Sequence, residues 1–466
     1  MGMYTIIHHI MRPKKYFSYL LLAFIGVSSA RSYGQIITTF AGSGYQGYSG
    51  DNGPARMAQL NRCTGVAFDG AGNVYVADRD NNVVRKINPL GIITTFAGTD
   101  TAGYSGDGQG AASARLNRPC AVATDAAGNV YIADEGNNVI RIVNKISGFI
   151  NTYAGNNIAG YSGDNGAADS ASLNDPQGIA VDGAGNLYIA DAGNHVVREV
   201  NVAGTISTIA GNGTLGYSGD GGAATDAALS SPSGVAVDPA GNVYIADINN
   251  NVVRKVNSAD GTIVPFAGIG YPGFGGDGGP AVYAELSFPS SVSVDNAGSV
   301  YITDEGNNTV RRVDSTGNIN VFAGIPRTNG YTGDNWAPTA AELNSPSDVA
   351  ADGRGRIYIV DYGNNVVRLV SYTASSVASV NGNSAALKVY PNPSTGSFDL
   401  DVPETGSAAT VYLMDVLGRV VATRVVDETK TGAATLTFSG VTDGNYLVVV
   451  SSGDKRYTEK VVVSRW

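Results

Sequence analysis

The sequence contains few of the residue types from which most metal and nucleophilic active sites are built. Only two cysteines and three histidines occur among 466 residues, and two of those histidines lie within the first ten. Zinc or copper sites with the usual nitrogen and sulfur ligands are therefore nearly excluded in the rest of the chain. No P-loop or nucleophile elbow occurs in a strand–turn–helix context, so we assign no catalytic and no metal-binding residue.

Charge and long apolar runs are also scarce. Charged residues make up 15% of the chain, and 40 acidic against 30 basic residues give a formal net charge of −10. Such a chain repels polyanions at long range, so nucleic acid is not an expected partner. No stretch approaches the roughly 18 consecutive apolar residues of a membrane-spanning helix, so no transmembrane span is expected either.

The N-terminus has the order of features that is typical of a targeting segment. Basic residues at 12–15 precede the apolar run 19–27 and the small residues 28–30. This order predicts a secretory signal peptide at 1–34, with cleavage after Ala30 or Gly34. We therefore expect an exported, soluble mature protein.

One stretch, GVAVDPAGNVYIADINNNVVRKV at Gly234–Val256, recurs throughout the chain every 56 or 57 residues. Its three runs rich in Val, Ile and Tyr predict consecutive antiparallel strands, and a fourth run, ITTFAG and its relatives, completes each unit. The aspartates that end the second strand mark the copies: Asp78, Asp134, Asp191, Asp247, Asp304 and Asp361. The arginines of the third strand repeat in the same way: Arg85, Arg141, Arg198, Arg254, Arg311 and Arg368.

Six copies of a four-stranded unit predict an all-β fold with a six-bladed β-propeller over residues 35–371. The first ITTFAG run precedes any complete unit, and the last unit lacks its fourth strand. The N-terminal strand is therefore expected to complete the sixth blade and close the ring. A Ser/Asn/Ala-rich linker follows at 372–385, and alternating strands at 386–466 predict a small, immunoglobulin-like β-sandwich.

Both regions resemble known families. The units are similar to the NHL repeats of six-bladed, TolB-like propellers, including the propeller segment of the teneurins. The motifs YPNPSTG at 390–396, DVLGR at 415–419 and GNY at 444–446 resemble the type A C-terminal sorting domain of type IX secretion substrates. This resemblance implies that 386–466 engages the type IX secretion machinery and that the protein is secreted or at the cell surface of a Bacteroidota-type bacterium.

The repeated polar residues are interpreted as structural, because a site for one asymmetric ligand does not need six copies. We expect each repeated aspartate to hold a turn and each arginine to pair with it or with the next blade. His195 occupies a position that is Asn in the other units, which indicates a turn role. Calcium is the one ion considered for the Gly-Asp turns of the inserts, but we expect no cofactor there. Those turn aspartates are Asp51, Asp107, Asp164, Asp220, Asp277 and Asp334.

The predicted ligand-binding positions are aromatic and basic residues of the last two inserts, most of which depart from the repeat. They are Trp336, where another unit has glycine, together with Tyr331, Arg327 and Phe274. Cys63 and Cys120 occupy nearly equivalent places in adjacent units, so either a disulfide or two free thiols is compatible with the spacing.

The leading functional hypothesis is a non-catalytic binding scaffold for extracellular protein or glycan ligands. The alternative is a propeller enzyme of lactonase-like or lyase-like type with a metal in the central channel. A purely structural component of the cell surface is a third reading.

Overall fold

Short antiparallel strands form nearly all of the regular structure. The computed structural model describes residues 35–372 and, in the C-terminal region, 388–390, 397–402, 409–415, 420–426, 432–437, 444–452 and 455–463. The predicted signal peptide at 1–34 and nearly all of the predicted linker lie outside the described residues. The boundaries between the predicted domains stay predictions.

Six antiparallel sheets, here called blades 1 to 6, follow one another along residues 35–372. The strands of blades 1 to 3, from inner to outer, are Gly65–Phe68, Val74–Asp78, Val83–Ile87 and Ile92–Ala97; Pro119–Thr124, Val130–Asp134, Val139–Val143 and Phe149–Ala154; and Pro176–Val181, Leu187–Asp191, Val196–Val200 and Thr205–Ala210. Those of blades 4 to 6 are Pro232–Val237, Val243–Asp247, Val252–Val256 and Ile263–Ala267; Pro289–Val294, Val300–Asp304, Thr309–Val313 and Ile319–Ala323; and Pro346–Ala351, Ile357–Asp361, Val366–Tyr372 and Gln35–Ala41.

Single 3₁₀ turns provide the helical structure of these blades. One set joins the second and third strands: Arg79–Asn81, Glu135–Asn137, Ala192–Asn194, Ile248–Asn250, Glu305–Asn307 and Tyr362–Asn364. The other set lies in the inserts between blades: Ala55–Met57, Ala111–Ser113, Ala168–Ser170, Ala224–Asp226, Ala281–Tyr283 and Pro338–Ala340. In three blades the insert also adds a two-residue strand to the outer edge: Gly53–Pro54, Gln109–Gly110 and Gly166–Ala167.

The blades form a closed ring around one axis. Each inner strand contacts the inner strand of the next blade, and that of blade 6 contacts that of blade 1. The apolar cores lie between neighbouring blades: Val66 and Val76 of blade 1, for example, share one buried cluster with Tyr358 and Val360 of blade 6. The predicted all-β propeller is confirmed.

The C-terminal region forms two further antiparallel sheets. The first has the strand order Lys388–Tyr390, Ser397–Val402, Gly432–Thr437. The second has the order Val420–Val426, Ala409–Asp415, Gly444–Ser452, Lys455–Val463. The described part of this region thus has seven strands in two antiparallel sheets, the strand content that the predicted β-sandwich requires.

The N-terminal strand Gln35–Ala41 closes the ring as the outer strand of blade 6. It pairs antiparallel with Val366–Tyr372, with Ile37 opposite Val370. Ile37 is fully buried in a cluster with Ile357, Ile359 and Val370. The expectation that the N-terminal run completes the sixth blade is confirmed, so this blade joins the two ends of the propeller sequence.

A buried arginine connects each insert to its blade. In blade 1, Arg85 Nη1 lies 3.3 Å from Asp78 Oδ2 and Arg85 Nη2 lies 2.6 Å from Asp51 Oδ1. Across the six blades the corresponding distances are 3.3–3.8 Å and 2.5–2.9 Å. Asp78 Oδ1 also accepts a hydrogen bond from Asn61 N at 2.7 Å, and Oδ2 accepts one from Asn81 Nδ2 at 2.9 Å. The aspartate therefore connects the end of the insert, at Asn61, to the turn between the second and third strands, at Asn81.

Substituting Ile37 tests the closing strand. Ile37→Ala removes buried methyl and methylene groups, so we expect a loss of about 2–4 kcal/mol in the free energy of unfolding, measured by urea denaturation. Leu90→Ala is the control, because Leu90 is 86% exposed. Equal effects of the two substitutions would show that Gln35–Ala41 does not pack into blade 6.

Substituting Arg198 tests the buried network. Arg198→Met leaves the fully buried carboxylate of Asp191 without its cation, so we expect a loss of about 3–5 kcal/mol at pH 8. Asp164→Asn is the matched control, because Asp164 is the solvent-accessible partner and its amide oxygen still accepts from Arg198; we expect about 1 kcal/mol or less. A loss for Arg198→Met as small as that for the control would contradict a stabilising role for the buried pair.

Candidate functional site

A channel runs along the propeller axis between the six inner strands. Its volume is about 790 Å³, and every blade contributes to its wall. The inserts and the second-to-third turns share one end of it, because Asn81 Nδ2 donates to Gly47 O at 2.7 Å and Asp80 N donates to Asn61 O at 3.2 Å. We call this end the channel mouth.

Apolar and polar groups both line the channel below the mouth, and bonds between blades stabilise its wall. One β-branched residue of each inner strand lies at the same repeat position: Val66, Val122, Ile179, Val235, Val292 and Val349. Just above them, a side chain in four of the six blades reaches a backbone carbonyl of the next blade: Ser233 Oγ to Ser290 O at 2.8 Å, Ser290 Oγ to Ser347 O at 3.2 Å, Ser347 Oγ to Thr64 O at 3.2 Å, and Cys120 Sγ to Gln177 O at 3.4 Å. These hydroxyls and this thiol connect the inner strands of neighbouring blades.

The residues at the mouth differ from blade to blade, although their backbone does not. The first residue of each second-to-third turn follows the repeated aspartate: Arg79, Glu135, Ala192, Ile248, Glu305 and Tyr362. A second position lies just before each inner strand and has a left-handed backbone with φ between 48° and 54°: Arg62, Arg118, Asp175, Ser231, Phe288 and Ser345.

Hydrogen bonds hold this second position in its left-handed conformation. Arg62 N donates to Asn365 Oδ1 of the preceding blade at 2.9 Å, and each of the other five makes the equivalent bond. In one of these bonds His195 replaces asparagine, and its Nδ1 accepts from Ser231 N at 3.2 Å. These repeated contacts of the backbone, here called the frame, fix the backbone at the mouth. The side chains at this position can therefore differ between blades.

Blades 1 and 2 place three arginines at the mouth. Arg79 Nε and Nη2 bind the two oxygens of Glu135, each at 2.9 Å. Arg118 Nη2 lies 3.5 Å from Glu135 Oε1, and Arg62 Nη1 lies 3.7 Å from Asp80 Oδ2. The side chains of Arg62 and Arg118 are 53% and 51% exposed, so about half of each side chain is accessible to solvent.

Blades 5 and 6 place two carboxyl groups in the channel wall. Asp348 Oδ2 accepts from Val66 N at 2.8 Å, and Oδ1 accepts from Ser291 Oγ at 2.5 Å. Glu305 lines the mouth on blade 5. Within the described residues neither carboxyl group has an ion-pair partner within 4.0 Å. Burial raises the pKa of Asp348 to about 6, and it raises the pKa of Glu305 as well.

The four ligand-binding residues predicted from the sequence lie outside the channel wall. The Tyr331 ring stacks on Arg368 at 5.3 Å with its hydroxyl 2.8 Å from Thr39 Oγ1, and the Phe274 ring lies 4.7 Å from the guanidinium of Arg311. The tyrosines of the other inserts pack on their arginines in the same way. The side chain of Trp336 is 58% exposed and its backbone pairs with Ile37, while Arg327 is exposed. Ligand binding at these positions stays a prediction.

The remaining candidate ligands are engaged in structural contacts. Cys63 and Cys120 are free thiols, so of the two alternatives the structure has no disulfide between them. Burial raises the pKa of both thiols well above its ordinary value. Each Gly-Asp turn aspartate pairs with the buried arginine of its blade. In the part of the chain that the structure describes, no three His, Cys, Asp or Glu side chains are grouped to hold a metal ion.

The channel mouth was not predicted from the sequence, because the predicted positions were those at which single units depart from the 56- or 57-residue repeat. The informative signal is a position at which the units disagree while their neighbours stay constant, as at the residue after each repeated aspartate. Asp348 gives a second signal. Its counterparts are small because the inner strands approach closely: a Cβ on Gly65 would lie 2.8 Å from Ala121 Cα. They are Gly65, Ala121, Gly178, Gly234 and Ser291.

Comparisons with protein families match both regions of the chain. The secretion system C-terminal sorting domain matches residues 388–464. The teneurin NHL domain matches residues 159–218, and the NHL repeat matches residues 229–255 and 286–313. No helix among the described residues is long and apolar enough to cross a membrane.

Individual proteins are similar over most of the propeller. Teneurin-3 of Mus musculus is 30% identical over 370 residues, which cover 71% of this chain but 13% of teneurin-3. The protein SUPPRESSOR OF QUENCHING 1, chloroplastic, of Arabidopsis thaliana is 28% identical over 293 residues, 60% of this chain and 27% of that protein. The chain thus spans less than a third of the length of these relatives.

Two solved structures from Bacteroides thetaiotaomicron share the fold. A protein of unknown function has a TM-score of 0.54 at 22% identity, and covers 72% of this chain and 76% of its own. An auxiliary nutrient binding protein has a TM-score of 0.53 at 19% identity, with the same coverage. At these identities the likeness concerns the fold alone.

Asp348 gives a prediction about pH. Its raised pKa means that the folded protein retains a proton that the unfolded chain loses between about pH 4 and 6, so this contribution to stability is lost as pH rises through about 6. Asp348→Asn keeps an acceptor for Val66 N and has no titration. We expect the variant to gain stability relative to the parent between pH 4 and pH 8, by at most about 3 kcal/mol. Urea denaturation at both pH values measures this; a difference independent of pH would contradict the prediction.

Proposed function

From the premise that the chain carries NHL repeats in a β-propeller and a secretion-system sorting domain, we propose that it is an exported, non-catalytic binding protein. It is secreted or held at the cell surface, and it binds an extracellular protein or glycan at its channel mouth. The sorting region at 386–466 engages the type IX secretion machinery of a Bacteroidota-type bacterium.

The observation that carries the proposal is the variable mouth on a repeated frame. At one position in each blade a bond to the preceding blade fixes the backbone, while the side chains at that position range from arginine to phenylalanine. Rigid scaffolds that present variable side chains around a cavity are the usual form of a binding site. A site of this kind recognises one asymmetric ligand in spite of the symmetric frame.

The contacts of the reactive groups support binding rather than catalysis. Cys120 is a thiol with a raised pKa, and its sulfur donates to backbone carbonyls. His195 Nδ1 accepts a backbone hydrogen bond, and Glu135 is held by Arg79 through two bonds. Each of these groups is engaged in a hydrogen bond to the backbone or in an ion pair. This favours the binding hypothesis over the lactonase-like or lyase-like alternative.

Binding assays with the purified full chain test this proposal. The chain is screened by surface plasmon resonance against glycans and against purified extracellular proteins and peptides. Arg118→Gln removes a guanidinium from the mouth, so we expect about tenfold weaker binding of the ligand found, as for the loss of one charge-assisted hydrogen bond. Trp336→Ala is the matched control on the outside of blade 6 and is expected to leave the affinity unchanged.

Three results would contradict the proposal. One is the absence of any binding partner in the screen. Another is hydrolase or lyase turnover of the bound compound. The third is a loss of affinity in Trp336→Ala with none in Arg118→Gln, which would move the binding site from the channel mouth to the exposed aromatic residue.

A further inference from the structure

The charged groups of the channel mouth are unevenly distributed: blades 1 and 2 carry three arginines against the two carboxylates of Glu135 and Asp80, which gives this part a net positive charge. The exposed guanidinium groups of Arg62 and Arg118 lie on blades 1 and 2. The carboxyl groups of Glu305 and Asp348 lie on blades 5 and 6. The same cavity therefore has cationic groups on one part of its wall and anionic groups on another.

The cationic part has donors to spare. Glu135 is committed to Arg79 by two bonds of 2.9 Å, so its contact with Arg118 is the longer one, at 3.5 Å. The contact of Arg62 with Asp80 is longer still, at 3.7 Å. A guanidinium has five donors in a planar fork that matches a carboxylate. Arg62 and Arg118 are thus able to bind a carboxylate that enters the mouth.

The anionic part lacks its counterion. Both oxygens of Asp348 accept hydrogen bonds from neighbouring blades, but the ionised group has no cation beside it in the described chain. Glu305 likewise has no basic partner there. Removing a carboxylate from water without a cation is costly, and an ammonium group in the channel would offset that cost. Tyr362, whose ring lies 6.0 Å from the Arg62 guanidinium, and Ile248 of blade 4 also line the mouth.

We propose that the channel mouth binds a short peptide with free termini, its ammonium group at Glu305 and Asp348 and its carboxylate at Arg62 and Arg118. This inference rests on the proposed binding function and names its ligand class. A simple anion would be repelled by the two carboxylates, and a simple cation by the two guanidinium groups. A volume of about 790 Å³ lies within the range of sites for small ligands.

Calorimetry with four forms of trialanine tests the inference on the full chain. The forms are the free peptide, the N-acetyl peptide, the C-terminal amide and the peptide blocked at both ends. We expect each single block to weaken binding about tenfold, because each removes one charged partner. In Arg118→Gln, amidation is expected to cost less than in the parent, and in Glu305→Gln acetylation is expected to cost less.

Arg56→Gln is the matched control. Arg56 is an exposed arginine that does not line the channel, so the variant is expected to keep all four affinities. Thermal melting of each variant shows that the fold is intact.

Three outcomes would overturn the inference. Equal affinity for free and doubly blocked peptide would exclude recognition of the termini. Binding of a glycan or folded protein in the wider screen, with none of the four peptides bound, would leave the proposed function standing and remove the peptide as its ligand. If no compound binds in either experiment, both the inference and the proposed function fall.

Discussion

The rest of the propeller depends on one interaction, the buried guanidinium between two carboxylates that each blade repeats. Arg85 is fully buried, and it binds Asp78 at the end of the second strand and Asp51 in the insert. Burying these charges is costly unless the donors and acceptors are satisfied. Here the guanidinium also reaches the carbonyls of Ser49 and Gln59, and its Nε is the one donor nitrogen without a hydrogen-bond partner in the described chain. Because the partners come from separate segments, the insert cannot leave the blade without exposing a buried charge.

This network also fixes the backbone at the channel mouth. Asp78 is followed directly by Arg79, so the residue that the network anchors is adjacent in sequence to a residue that points into the mouth. The carboxylate holds the backbone of the turn, and the next side chain is then free to differ in every blade. The anchored residue Asp78 and the mouth residue Arg79 are thus joined by one peptide bond. A substitution at such a turn residue therefore changes the chemistry of the mouth and leaves the contacts of the network in place.

The repeat predicted the strands, the number of blades and the closing N-terminal strand, because each rests on local spacing. It did not predict the mouth, since Arg62, Glu135 and Asp348 lie far apart in sequence and converge only after the ring closes. The aromatic residues Phe274 and Trp336 depart from the repeat, and Tyr331 lies in the same insert as Trp336. Yet Tyr331 packs on Arg368 as its counterparts pack in other blades, a contact that no spacing rule reveals. Comparing the units column by column would have singled out Asp348.

Asp348 connects the closure of the ring to the channel. Its side chain comes from blade 6 and accepts from Val66 of blade 1 and from Ser291 of blade 5, so one carboxylate spans both interfaces of the last blade. The strand Gln35–Ala41 secures the same blade from the outside. A cation bound at Asp348 would therefore stabilise the carboxylate that joins the first blade to the last. Ligand binding and ring closure then share one group, which makes the last blade the place where occupancy of the channel affects the stability of the fold.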